Sequence, residues 1–346
     1  MSDEEAAGQR LMLELRARDA WNQRDYEGAQ RLAEELAAAA LQAHDELGWW
    51  HATFLVSECL RKQGKMQESL VTAEMLGKHP LTEGSKALRA KVSTLASLAL
   101  QGTGNLALAV AAARQGVEDA MGSNEDVNLE IDARHALVAA LADSDQLEAA
   151  WQECLVLVDL LPLQPASKYV GQSYWTIGNV AFLLGRVAEG VEYHQLAAEN
   201  LSPTNDLDLW ARFNRASASL RLAAGAVGPE TLECIERAEL ASSIVGGTQR
   251  DRMELKLTRA EWLVLTGQFD AAVDQLTDII QRKHLLASHM AAQAHLLLGQ
   301  ALSARGSRTE ALGNFRVSEG LFLQSGAKDR ASAAHALIRG IQEVPS

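Results

Sequence analysis

The sequence has little proline, cysteine, aromatic residue or positive charge. Its 346 residues include six prolines and three cysteines, and 5% of them are aromatic. So few prolines favour long helices, because proline breaks a helix interior. A composition of 47% hydrophobic and 22% charged residues excludes disordered, collagen-like and disulfide-rich proteins. At the usual size of a domain the chain would form two or three domains, unless it is an array of repeats.

The net charge and the hydropathy pattern limit the partners of the chain. The 45 acidic residues outnumber the 32 basic ones and give a formal charge of −13, so we expect no direct binding to nucleic acid, whose phosphates would repel the chain. No apolar run reaches the length of about 18 residues that a membrane span requires. The first residues are acidic, whereas a secretory signal begins with positive charge. These features predict a cytoplasmic protein that does not bind membranes.

No arrangement of reactive residues predicts catalysis or metal binding. The three cysteines are too far apart in sequence for a zinc or redox motif, and we expect reduced thiols within helices. The histidines between residues 284 and 295 are spaced five and six apart, which does not place two on one helix face as a metal pair. His194 is expected to be a hydrogen-bonded core histidine. The sequence lacks phosphate-binding, nucleophile-elbow and metalloprotease motifs. We therefore predict no metal, no cofactor and no enzymatic activity.

A short phrase recurs along the chain: a Gly or small polar residue, an apolar residue two positions later, and a small residue five positions later. The spacing between copies is 39 to 42 residues, which is strong evidence for a repeat array. The first residues of the eight copies, of which the sixth is a looser match, are Arg24, Gly64, Gly104, Asp145, Gly185, Gly225, Gly267 and Gly306.

Each position of the phrase has a physical reason. Gly accepts the left-handed conformation that ends a helix, and a small residue five positions later allows the next helix to cross closely. A second small residue lies seven positions before all but one of the turns, and Leu recurs four positions before several of them. Each copy therefore predicts two antiparallel helices joined by a tight turn. Prolines fall between these helices or at the chain end, including Pro80, Pro165 and Pro229.

These residues resemble tetratricopeptide repeats (TPRs), and the resemblance extends from about residue 8 to about residue 325. The best copy runs from Ser173 to Ala197 and includes Gly178, Gly185 and Gly190. The period of about 40 exceeds the usual 34. This longer form resembles the sensor domains of bacterial transcription regulators, especially the actinobacterial helix-turn-helix type, although no helix-turn-helix domain is visible.

The resemblance implies an all-α, right-handed superhelical solenoid of about eight TPR-like helix hairpins with a C-terminal capping helix. We expect one solenoid over residues 1–346, with the cap at 327–344 and an uncovered edge at either end as a route to a homodimer. The predicted repeats span residues 8–45, 48–80, 86–121, 127–163, 168–203, 207–245, 250–284 and 288–325.

The resemblance also implies a concave groove, lined by the first helix of each hairpin, that holds a peptide or protein partner. An extended peptide needs amides for its backbone, an Arg for a carboxylate and an aromatic wall for an apolar side chain. The fifth and sixth repeats offer all three, and His135 lies at a groove position of the fourth. The candidate ligand-binding residues are Gln172, Trp175, Asn179, Arg212, Asn214, Arg215 and His135, with Phe182 nearby.

Three questions stay open at this stage. Arg212 and Arg215 could pair with Asp206 or Asp208, leaving an ordinary solvated surface. The leading hypothesis is a non-enzymatic binding protein, acting in regulation of transcription or signalling, that holds a peptide, small ligand or protein in its groove. The alternative function is a scaffold for assembly of a multiprotein complex. The adjacent Trp49 and Trp50 either pack the first hairpin on the second or form a contact patch.

Overall fold

The computed structural model describes residues 3–123, 127–163, 170–204, 206–246, 249–325 and 327–343. These residues form eighteen α-helices and no β-strand. The chain divides into two compact units, residues 1–184 and 185–346. Pro165, residues 168–169 at the start of the fifth predicted repeat, and residue 344 at the end of the predicted cap lie outside the described residues. Within the described residues, no helix has the length and apolar content needed to cross a membrane.

The first unit contains ten helices among its described residues. They are α1 (Asp3–Asn22), α2 (Tyr26–Gln42), α3 (Glu46–Lys62), α4 (Met66–Gly77), α5 (Pro80–Gly84), α6 (Lys86–Gly102), α7 (Leu106–Met121), α8 (Val127–Asp143), α9 (Leu147–Leu160) and α10 (Val170–Leu183). Consecutive long helices pack as antiparallel hairpins, and a single 3₁₀ turn, Leu161–Leu163, follows α9.

The second unit contains eight helices among its described residues. They are α11 (Val187–Asn200), α12 (Leu207–Ala223), α13 (Pro229–Val245), α14 (Gln249–Leu265), α15 (Phe269–Gln281), α16 (Ser288–Ala304), α17 (Arg308–Gln324) and α18 (Lys328–Glu343). The last helix packs on α17 and buries Ala331, Ala334 and Ile338. The structure thus confirms the all-α fold of TPR-like hairpins with a C-terminal capping helix.

The predicted turn positions have the backbone conformation that the phrase requires. All eight first residues have positive φ: six are glycines with φ between 72° and 82°, and Arg24 and Asp145 have φ of 63° and 60°. At the second turn the Lys65 amide donates to the Leu60 carbonyl at 2.9 Å, which closes the helix end. The sixth turn is longer, since α13 begins four residues after Gly225, at Pro229, whereas the other second helices begin two residues after their turns. This longer turn accounts for the looser sixth copy.

The small residues of the phrase lie at the helix crossings. Ser57 of α3 and Ser69 of α4 are both fully buried, and their hydroxyls are 3.0 Å apart. Each hydroxyl also donates to the other residue's carbonyl at 2.9 Å. At the last crossing, a Cβ added to Gly299 would lie 2.6 Å from ring atoms of Phe315. The close approach of the two helices therefore depends on these small side chains.

Trp50 packs in a core of the second and third hairpins, whereas the sequence left open either packing of the first hairpin on the second or a contact patch. It is fully buried among Leu76, Val92 and Leu95. Its Nε1 donates to the Thr82 hydroxyl at 2.8 Å. Thr82 lies on the short helix α5, which the repeat pattern did not predict. The indole therefore fixes α5 between α4 and α6.

The cysteine prediction is confirmed, since all three thiols are free and buried in helices. Burial raises the pKa of Cys59 and of Cys154 to about 12 and also raises the pKa of Cys234. None of these thiols is therefore a thiolate at neutral pH.

Candidate functional site

The first helices of successive hairpins lie side by side within each unit. In the first unit α6 packs against α8, and α8 against α10; in the second, α12 packs against α14, and α14 against α16. The Gln101 amide donates to the Asp143 carboxylate at 3.0 Å and links α6 to α8. Each unit therefore presents a continuous face of first helices, on which the predicted binding residues were placed.

Three predicted residues lie along α10 in the first unit. Gln172, Trp175 and Asn179 are three and four residues apart, so they share one helical face, and all three are half-buried. Phe182, which was also expected on this face, is buried. Trp175 and Asn179 both take part in further contacts within the protein.

His135 joins α8 to α10 within the first unit. Its Nε2 lies 2.7 Å from the hydroxyl of Ser173, which is fully buried. Burial lowers the pKa of His135 to about 4, so the imidazole is neutral at pH 7. This contact links α10, which carries Trp175, to α8. Direct contact of His135 with a ligand remains a prediction.

The predicted residues of the sixth repeat lie on α12 in the second unit. Arg212 donates from Nε to Asp208 at 3.0 Å, and its side chain is 50% exposed. Arg215 is half-buried and has a partner within the protein. Pairing of Arg212 with Asp208 is one of the alternatives that the sequence left open.

Asn214 corrects the prediction for this helix. It is fully buried; its Nδ2 donates to the Trp210 carbonyl at 2.8 Å, and its Oδ1 has no hydrogen-bond partner. Phe213, the preceding residue, and Ser217, about one helical turn further on, are also fully buried. Asn214 therefore faces the core and not the groove.

A buried polar cluster in the second unit surrounds the hydroxyl of Ser217. His194 Nδ1 lies 2.9 Å from this oxygen, and Arg221 Nε donates to it at 3.3 Å. The thiol of Cys234 lies 3.7 Å away. The prediction that His194 is a hydrogen-bonded core residue is confirmed. Among the described residues, no group of His, Cys, Asp and Glu side chains could hold a metal ion.

The structure contains a cleft that the sequence did not predict. It has a volume of about 680 Å³ and lies between α1 and α3, with α2 as its floor. The lining side chains are Ala7, Arg10, Leu11, Glu14, Arg18 and Trp21 of α1, Leu36 and Ala40 of α2, and Asp45, Gly48, His51, Ala52, Leu55 and Glu58 in and before α3. We call this cavity the N-terminal cleft.

The N-terminal cleft combines apolar surface with charges at its edges. Leu11 is 56% exposed. Arg18 donates to Glu14 at 3.1 Å, and the Asp45 carboxylate accepts from the Gly48 amide at 2.8 Å as the cap of α3. Burial, with the charge of Lys91, lowers the pKa of His51. The spacing of Arg10, Glu14 and Arg18, each one helical turn from the next, is the sequence signal that could have revealed this wall.

Comparisons with known proteins identify the fold. No protein-family model matches the sequence, and no curated protein matches it. A Rap protein crystallised with competence and sporulation factor has a TM-score of 0.58 and 10% identity, covering 99% of this chain and 98% of its own. The apo form of RapI has a TM-score of 0.52 at 10% identity, covering 92% of this chain and 99% of its own.

A third solved structure is a signal transduction ATPase with numerous domains, PH0952 from Pyrococcus horikoshii, which has a tetratricopeptide repeat sensor. It has a TM-score of 0.67 at 11% identity over 95% of this chain, which spans 50% of that protein's length. At such low identity these likenesses describe the fold alone. The more specific resemblance to actinobacterial regulators remains a prediction, whereas the chain has the TPR-like helix-hairpin fold that its repeats predicted.

Proposed function

We propose that the chain is a non-enzymatic binding protein that holds a peptide or protein partner along the faces of its first helices. We propose further that this binding serves the regulation of transcription or signalling. The observation that carries the proposal is the side-by-side packing of first helices within each unit, with the half-buried side chains of Gln172, Trp175 and Asn179 along α10.

The α10 face has the chemistry that an extended peptide needs. The amides of Gln172 and Asn179 can both donate to and accept from a peptide backbone, whose groups an extended ligand leaves unpaired. The indole of Trp175 between them offers a flat apolar wall for a side chain. The His135–Ser173 hydrogen bond, 2.7 Å long, fixes α10 before a ligand arrives, so less ordering is required upon binding.

The α12 face supplies a cation. Arg212 is half-exposed, and the ion pair that it forms is with Asp208, one helical turn away. Such exposed i,i+4 pairs contribute only about 0.3–0.5 kcal/mol, so a ligand carboxylate can displace Asp208 at small cost. The prediction that the α10 and α12 residues act on one ligand remains a prediction.

Two of the solved structures support a regulatory role. The Rap protein of this fold was crystallised with competence and sporulation factor, and the repeats of PH0952 are described as a sensor. We propose the same class of role here, in which a bound peptide or small ligand changes what the protein does to a partner. Assembly of a multiprotein complex remains the alternative function.

Selection from a peptide library tests the proposal. A library of random nine-residue peptides with free carboxylates is selected against the full chain, and the affinity of the best peptide is then measured by titration calorimetry. We expect Asn179→Ala and Arg212→Ala each to weaken binding about tenfold, the loss of roughly one charged or bidentate hydrogen bond.

The matched control for Arg212→Ala is Arg237→Ala. Arg237 also lies on a 17-residue helix of the second unit and also pairs with a carboxylate one turn away, that of Glu233 at 2.9 Å, but α13 is a second helix. Gln195→Ala on α11, which is also a second helix, is the carboxamide control for Asn179→Ala. If the control variants weaken binding as much as Asn179→Ala and Arg212→Ala do, the first-helix faces are not the site. A partner protein that co-purifies in a fixed ratio, without any peptide that binds, would favour the scaffold.

A further inference from the structure

The N-terminal cleft lies where α1 and α3 make little direct contact. Each of them packs on α2, but α1 and α3 touch each other less than α3 touches α6 or α6 touches α8. The cleft of about 680 Å³ fills the space that direct packing of α1 on α3 would remove. Its size lies within the usual range of ligand-binding cavities.

The apolar surface of the N-terminal cleft runs along its length. Leu11, 56% exposed, lies on one wall, Leu36 on the floor and Leu55 on the opposite wall. The lining of α1 extends from Ala7 to Trp21, which is about 20 Å at the rise of an α-helix. An apolar trough of this length fits an occupant helix of about four turns.

The polar groups of the cleft favour a helix over an extended strand. All three walls are α-helices, whose interior backbone groups are already paired. Neither Asn nor Gln is among the described residues that line the cleft. An extended peptide would therefore find no amide partners for its backbone, whereas a helix satisfies its own. This distinguishes the cleft from the α10 face, where two carboxamides are present.

The charges determine what the flank of that helix must carry. On the α1 wall, Arg18 and Glu14 pair with each other at 3.1 Å, and Arg10 stands outside that pair. On the opposite wall, the Asp45 carboxylate accepts a hydrogen bond from the Gly48 amide, and Glu58 also has a partner within the protein. The guanidinium of Arg10 is thus the charge that an occupant can pair with, and its complement is a carboxylate.

We infer that the N-terminal cleft binds an amphipathic α-helix of about four turns, with a leucine-type apolar stripe and an acidic flank that faces Arg10. This partner is distinct from the extended peptide proposed for α10, because the two sites use different residues and different backbone chemistry.

A displayed library of 16-residue peptides tests the inference. The library has a helix-forming Ala and Lys background with Leu, Glu, Lys and Gln varied at the remaining positions, and it is selected against the full chain. We expect winners with Leu at helical spacing and Glu along one flank. The labelled best winner is then measured by fluorescence anisotropy against variants of the full chain.

Leu11→Asp should weaken binding of that winner at least tenfold, and Leu41→Asp should leave it within twofold. Leu41 is the matched control, since it is 57% exposed on α2 and does not line the cleft. Arg10→Glu should weaken the winner about fivefold, but should change binding of its Glu→Gln counterpart less than twofold. This difference separates a charge contact from a change in folding.

Three results would overturn the inference. The first is a library that yields no helical binder, and the second is a winner whose affinity is the same for Leu11→Asp and Leu41→Asp. The third is a dimer of the free chain that Leu11→Asp converts to monomer, since the cleft would then be a contact between copies. Leu11→Asp should leave the nine-residue peptide of the α10 face bound with unchanged affinity, so failure of one proposal is distinguishable from failure of the other.

Discussion

A Gly299→Ala substitution tests whether the small residues of the repeat phrase are required for close helix crossing. Gly299 is buried on α16, where this helix crosses α17. An alanine Cβ would lie 2.6 Å from Cδ1 and Cε1 of Phe315 and 3.1 Å from Cζ. Carbon atoms in contact are normally about 3.5–4.0 Å apart, so the ring or the helix must move by about 1 Å.

The ring has no free space into which to move. Phe315 is 1% exposed and packs in a core with Leu276, Leu298 and Leu302. Overpacking such a core costs about 1–3 kcal/mol, from which the better helix propensity of alanine recovers about 0.5–1 kcal/mol. We expect a net destabilisation of about 1–2 kcal/mol, and a fall in the melting midpoint of about 2–4 °C for each kcal/mol in a unit of this size.

Thermal unfolding followed by circular dichroism at 222 nm measures the effect. Gly313→Ala is the control, because Gly313 is exposed on α17 with nothing within 4 Å of its added Cβ; it should stabilise by about 0.5–1 kcal/mol. Gly306→Ala should destabilise by about 1–2 kcal/mol through its φ of 82° alone. Adding Phe315→Leu should cost less in the Gly299→Ala background than alone. Equal midpoints for Gly299→Ala and Gly313→Ala would refute the close-crossing explanation.

Three further predictions concern stability and reactivity. His135 has its pKa lowered to about 4 by burial, so below pH 6.5 the unfolded chain takes up the proton first and stability decreases as the pH falls. By pH 5 the free energy of unfolding has decreased by about 2 kcal/mol. His135→Asn should remove this decrease when urea unfolding is compared at pH 7.5 and pH 5. An unchanged pH dependence in the variant would refute the assignment of the decrease to His135. Arg134 is buried between Glu130, at 2.8 Å, and Glu153, so Arg134→Met should lower the free energy of unfolding by about 3–5 kcal/mol. The same urea unfolding measures this loss, with Arg237→Met as the control. Equal losses in the two variants would contradict the burial argument. A thiol reagent should label Cys59, Cys154 and Cys234 only after unfolding; a thiol that reacts on mixing would contradict their burial.

The repeat phrase predicted the hairpins because its first position requires a positive φ at the turn, whatever the average conformational preference of the residue there. Arg24 and Asp145 stand where the other turns have glycine, yet both adopt positive φ, 63° and 60°. The surrounding helices, with the buried residues Ala17 and Val138 at their crossings, impose the turn even on residues for which it is unfavourable. Position within the repeat therefore determined the conformation more strongly than residue type.

Helix α5 and the partners of Trp50 could not be predicted in this way. The second repeat has the ordinary length of 40 residues, but its second helix, α4, ends early at Gly77 and the short helix α5 follows it. The period alone therefore does not reveal this structure. Its helix begins with Pro80, and Thr82 accepts from the indole of Trp50 while donating to the Leu76 carbonyl at 2.7 Å. The contact between Trp50 and Thr82 joins residues 32 positions apart, a pairing that local patterns do not encode.

Two residues that were expected on the groove face, Asn214 and Phe182, are buried for one reason. Counting along a helix assigns a residue to a face within about one position, because 3.6 residues per turn do not repeat after a whole number. Asn214 is buried while Arg212 and Arg215, on either side of it, are accessible. Phe182 is likewise buried, one turn beyond Asn179. A small rotation of the helix about its axis determines whether such a residue is buried or exposed, and the sequence does not specify that rotation.

The N-terminal cleft was missed for a different reason. Its residues were visible in the sequence, but a cleft depends on the distance between α1 and α3, which is determined by how each packs on α2. The side chains that α2 places at the floor, Leu36 and Ala40, are ordinary apolar residues of a second helix. Only the exposed Leu11 in the final packing shows that the space above them is not filled. A cleft that two helices leave between them can therefore be inferred only from the structure.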